Sequence, residues 1–143
     1  MTNYERAASI FRGAEWTYRD MERALAEQEW NIAVRRAQEA VELALKGLLA
    51  LMGVDYPKEH DPADVFARAV REHGLAIEEK ILEEIRIFSA RLAHRRAPAF
   101  YFEIRVEEQE ARQAAKDAAQ MLAWAQEWWK WLERKNDLTP TAR

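Results

Sequence analysis

The stretch ARQAAKDAAQMLAWAQEWWKWL, residues 111–132, decides the fold. Ala111, Ala115, Ala118, Leu122, Ala125, Trp129 and Leu132 recur at alternating steps of four and three, the spacing that keeps one stripe on one face of an α-helix. Met121, Trp124, Trp128 and Trp131 form a second stripe beside the first. A helix that is apolar around so much of its girth is expected to be covered on more than one side.

The rest of the chain repeats the pattern. Tyr4, Ala7, Phe11, Ala14, Tyr18, Met21 and Leu25 predict a long amphipathic helix over 3–27. Trp30, Val34, Ala37, Val41, Ala44, Leu48 and Leu51 predict a second, stopped by Gly53. Its alanines would let a neighbouring helix approach closely. Asp61-Pro62-Ala63-Asp64 reads as a helix start, with Asp61 as N-cap and Pro62 in the first helical position. The short helix that follows covers about 61–72 and ends near Gly74. Ile77, Ile81, Ile85, Phe88 and Leu92 set a fourth, which Pro98 should kink or end.

Helices joined by short turns imply an all-α protein: an up-down antiparallel four-helix bundle with an additional short helix in the middle connection, five helices in all. Residues 1–135 form one domain and 136–143 a flexible C-terminal tail. With 143 residues and 49% hydrophobic composition, the chain is long enough for a core of its own.

Composition excludes several chemistries. There is no cysteine, so there is no disulfide, thiolate metal site or cysteine nucleophile, and a cytoplasmic setting fits. No apolar run of signal-peptide or membrane-spanning length is present. The glycines are isolated, which rules out a phosphate-cradling glycine loop. Ser9 and Ser89 lack a nucleophile-elbow context. His60, His73 and His94 show no metal-ligand spacing, and Glu39 and Glu42 read as solvated carboxylates, so neither metal nor cofactor is expected. His60-Asp61 reads as a local packing and capping pair; the alternative is a His–Asp acid–base pair.

The charge pattern breaks at RLAHRRAPAFYFE, residues 91–103. Between 85 and 105 lie Arg86, Arg91, Arg95, Arg96 and Arg105 with Glu103 the one acid, in a chain whose net charge is −3. Arginines next to aromatics suit phosphates and stacked bases. Cations also collect at helix C-termini because the macrodipole favours them there.

The run from Ala33 to Asp61 resembles the HEPN domain family (higher eukaryotes and prokaryotes nucleotide-binding). The residues that carry the resemblance are Ala33, Ala37, Gln38, Ala40, Glu42, Ala44, Leu45, Lys46, Gly53, His60 and Asp61, with the Arg95–Tyr101 segment as the family's basic stretch. The likeness covers roughly residues 4–134. It implies a five-helix, usually homodimeric bundle. It also implies a nucleotide, RNA or nucleotidyltransferase partner of prokaryotic toxin–antitoxin type.

Many members are metal-independent RNases that use an Arg followed four to six residues later by His. This chain departs from that motif. No His follows Arg91, Arg95 or Arg96 at that distance, and His94 lies three residues after Arg91. Arg68 and His73 have the spacing but sit on the short third helix. Tyr101 could replace the imidazole sterically, but a phenol is a poor base at neutral pH. The expected function is therefore a binding or partner subunit that contacts phosphate through Arg91, Arg95, Arg96 and Tyr101. The alternatives are an RNase using His94 with Arg91 or Arg95, and a purely structural oligomerisation module.

Overall fold

The computed structural model describes residues 1–56 and 58–136. Five helices follow in order: α1 (Asn3–Ala26), α2 (Trp30–Leu51), α3 (Ala63–His73), α4 (Glu79–Phe100) and α5 (Glu108–Asn136). No strand occurs among the described residues. Asn136, expected in the tail, still belongs to α5; the rest of that tail, 137–143, lies outside the described residues.

Contacts fix the directions of the helices. On α1 and α2, Gly13 lies near Leu43, Phe11 near Gly47 and Asn3 near Gly53, so the two run antiparallel. Tyr4 reaches Glu133 and Glu15 reaches Gln126, which sets α5 antiparallel to α1. Arg91 meets Asp117 and Arg95 meets Glu110, so α4 runs against α5. The result is the expected up-down bundle, with α3 in the middle connection.

α2 is the central element. It packs against all four other helices, and 14 of its 22 residues are buried. Close approach to α1 depends on small residues: Ala7, Ala14, Ala33, Ala37 and Ala44 are fully buried. A Cβ placed on Gly47 would stand 3.4 Å from Phe11 Cδ2. The two apolar stripes of α5 serve different neighbours. Trp129 packs on Phe11 of α1 with ring centroids 5.0 Å apart, whereas Trp128 stacks on Phe66 of α3 at 5.8 Å. Trp128 also stacks nearly parallel to Trp124, at 5.9 Å and 9°.

Four helices end in one way, with a residue in the left-handed region one or two positions beyond the last helical residue. After α2 it is Gly53 and after α3 it is Gly74, the residue type that adopts this backbone without strain. After α1 and α4 it is Gln28 (φ 60°) and Phe102 (φ 54°). At the end of α4, Glu103 N–H donates to the Pro98 carbonyl at 3.0 Å and Phe102 N–H to the Ala99 carbonyl at 3.3 Å, a Schellman closure. α4 therefore continues two residues beyond Pro98, because a proline in the last turn forfeits one helix bond and the Schellman bonds satisfy the remaining carbonyls. At α3 the expected start shifts: Pro62 is the N-cap and the first helical residue is Ala63. Asp61 still helps, accepting from Ala63 N–H at 3.3 Å.

Candidate functional site

Two polar constellations stand out. The first is built on α2, where Gln38, Glu42 and Lys46 follow at steps of four and so share one face. Lys46 Nζ donates to Glu42 Oε2 at 2.7 Å, and Gln38 Nε2 donates to Glu42 Oε1 at 2.9 Å. The same amide donates to the His60 carbonyl at 3.0 Å, and His60 Nδ1 lies 3.0 Å from Glu42 Oε1. Next in the chain, Asp61 accepts from the buried Ser89 hydroxyl of α4 at 2.6 Å.

This corrects two expectations. Glu42 is not a solvated carboxylate: its side chain is 14% exposed and bonded on both oxygens. His60 pairs with Glu42 rather than with Asp61, so the His-Asp dipeptide is a two-pronged anchor, one prong on α2 and one on α4. Burial pushes the Glu42 carboxyl up, but hydrogen bonds from Lys46, Gln38 and His60 outweigh it and hold the group below the usual carboxylate range. Gln38 Oε1 is buried without a hydrogen-bond partner among the described residues.

The second constellation is the C-terminal end of α4. Arg91 and Arg95, one turn apart, face α5. Arg91 pairs with Asp117, and Arg95 makes a two-pronged bond to Glu110 at 2.7 and 2.8 Å. The Glu110 hydrogen bond raises the Arg95 pKa above the ordinary guanidinium value. Together with Leu92, Glu107, Gln109, Gln113 and Ala114, both arginines line a cleft of about 600 Å³ between α4 and α5. A hollow of about 530 Å³ at the opposite end of α5 includes Lys135, which donates to the His73 carbonyl.

The charge cluster is smaller in space than in the linear sequence. Arg86 pairs with Glu83, just outside the sequence window, and Arg91 and Arg95 take their acids from α5. His94, Arg96 and Arg105 make no ion pair among the described residues. Arg96 is half-buried, with its Nε enclosed and without a hydrogen-bond partner. His94 is exposed and lies about 60° around the helix from Arg91, since each residue turns the helix by roughly 100°.

The turn after α4 is held from below. Asn31, near the start of α2, donates to the carbonyls of Ala99 (3.2 Å) and Ile104 (3.0 Å) and accepts from Val106 N–H (3.1 Å). Arg35 lies 3.8 Å above the Phe100 ring. On the turn itself Tyr101 is 68% and Phe102 65% exposed. The role of Asn31 was not legible in the sequence, because its partners are backbone atoms about seventy residues away. The Gln38-Glu42-Lys46 face did carry a signal in its spacing.

No group of three or more potential metal ligands occurs among the described residues, and no helix there is long and apolar enough to cross a membrane. No curated protein and no solved structure matches the chain. The family model for the HEPN domain matches residues 7–128, a span that takes in the Glu42–His60 anchor, the α4–α5 cleft and the turn between them. With most of its length matched, the chain belongs to the HEPN domain family.

Proposed function

We propose that this HEPN domain is a nucleotide- or RNA-binding subunit, working as a homodimer beside a nucleotidyltransferase partner of toxin–antitoxin type, and that it grips phosphate at the C-terminal end of α4. HEPN domains form a nucleotide-binding and RNase-like helical family whose members commonly dimerise. The observation that carries the reading is the α4–α5 cleft, into which Arg91 and Arg95 project already ordered by Asp117 and Glu110. A guanidinium held in a fork presents its remaining N–H groups with little entropy left to lose, which suits a phosphate. Arg96 and Tyr101 complete the contact set on the same helix end.

The departure from the Arg–His spacing argues for binding over cleavage. A competing reading, a metal-independent RNase, draws on the exposure of His94 one turn from Arg91. RNA cleavage in EDTA that disappears in His94→Ala would establish it.

Binding of ATP and of a short RNA, measured against salt, tests the proposal. Two or three phosphate contacts on a single strand predict a log K against log salt slope of roughly −1.4 to −2. Arg95→Gln flattens that slope. Absence of binding to either probe at low salt overturns the reading.

A further inference from the structure

The turn between α4 and α5 has features that phosphate binding in the neighbouring cleft does not require. Tyr101 and Phe102 are the most exposed aromatic residues besides Trp16, whose ring is covered by the Arg19 guanidinium at 4.8 Å. No cation lies over Tyr101 or Phe102 among the described residues. Phe102 also holds a left-handed backbone, φ 54°, at the position where α2 and α3 place glycine. A bulky residue kept there at a steric cost, with its ring mostly in solvent, gives little back in packing. The turn is nevertheless fixed in place by the three Asn31 bonds. His94, Arg96 and Arg105 flank it without acid partners, whereas the acids Glu103 and Glu107 sit on the turn and temper the charge.

We infer that Tyr101 and Phe102 form a rigid base-stacking platform for single-stranded nucleic acid, with His94, Arg96 and Arg105 positioned along the path of its backbone. The inference deepens the phosphate-binding reading and rests on it: the cleft supplies charge and the turn supplies base contact. Because acids dilute the charge at the turn, the platform contributes mainly by stacking. That contribution depends on bases being present and only weakly on salt. A mononucleotide engages one ring at most, so a strand gains more than a nucleotide does.

The test uses the full chain and fluorescence anisotropy with two labelled probes, an oligoadenylate of roughly ten nucleotides and an abasic phosphodiester of equal length. Tyr101→Ala and Phe102→Gly should each weaken oligoadenylate binding about five- to a hundredfold, the range measured for stacking of one base. Phe102→Gly should leave abasic binding unchanged, and Tyr101→Ala, which also removes a phosphate contact, should weaken it less than it weakens oligoadenylate binding. Phe102→Gly relieves the left-handed strain, so its thermal midpoint should equal or exceed that of the wild type, which keeps a failure to fold from passing as loss of binding. Arg95→Gln should weaken both probes together, and absence of all binding removes the phosphate reading itself. Wild-type oligoadenylate affinity in both aromatic variants, with abasic binding intact, overturns the platform alone. So does equal loss on both probes. Conversion of a dimer to a monomer by Tyr101→Ala or Phe102→Gly, with oligoadenylate affinity unchanged, assigns the turn to a second copy of the chain and likewise overturns it.

Discussion

Replacing Glu42 by glutamine keeps the shape of the side chain and removes its charge. In the wild type the carboxylate accepts from Lys46 at 2.7 Å and Gln38 at 2.9 Å, and stands 3.0 Å from His60 Nδ1. The amide keeps one acceptor oxygen. Its NH2 group faces the Lys46 ammonium or the Gln38 amide, donor against donor. Lys46, with its side chain 11% exposed, then has no carboxylate partner. A hydrogen bond to a charged group contributes about 1.5–3 kcal/mol, and an orphaned buried charge costs several more when fully enclosed. Partial exposure of Lys46 and the nearby Tyr56 ring, 5.5 Å away, soften that penalty. We expect a loss of about 2–3 kcal/mol at neutral pH, read by urea unfolding with an unchanged m value.

The pH dependence provides the sharper check. The folded Glu42 carboxyl sits below its ordinary value of 4.5, so its stabilisation is fully present above that value and is lost as pH falls through the lower folded pKa. The difference between wild type and Glu42→Gln should therefore shrink as the pH falls below about 4. A difference under about 0.5 kcal/mol at pH 7, or one that does not shrink in acid, would refute the account of this network.

Ser89→Ala removes the hydroxyl that donates to Asp61 at 2.6 Å, leaving a half-buried carboxylate short of a donor; it should cost about 1–2 kcal/mol and raise amide exchange at the start of α3, as measured by hydrogen exchange. Gly47→Val places two methyl groups against Phe11, where even a Cβ stands at 3.4 Å, and should lower stability by about 1–3 kcal/mol in denaturant titrations, with Gly47→Ala intermediate. Gln28→Gly, at the other left-handed non-glycine position, should raise stability by up to about 1 kcal/mol in the same titrations and leave oligonucleotide affinity unchanged.

How far the sequence was legible depended on whether the partners of a residue were local. Helix faces were readable because apolar spacing reports a residue's own helix, and the two stripes of α5 implied cover on more than one side: α5 packs against α2, α1 and α4, and Trp128 reaches Phe66 of α3. Helix ends were readable where glycine marks them, at Gly53 and Gly74, and obscure where Gln28 and Phe102 adopt the same backbone against their preference. The basic segment was misjudged in its isolation. Asp117 and Glu110 follow Arg91 and Arg95 by 26 and 15 residues, and only the antiparallel return of α5 brings them together. His60 illustrates the same limit: local contacts beside the Asp61 cap are what its position suggests, while its partner in space comes from α2, 18 residues earlier.

The parallel stack of Trp124 on Trp128, at 5.9 Å and 9°, has an optical consequence. Two indoles so close and so nearly parallel couple their electronic transitions. The pair should therefore produce a split circular-dichroism band in the near ultraviolet and self-quenched emission. Because Trp128 also stacks on Phe66, that signal reports whether α3 is seated on α5, independently of total helix content.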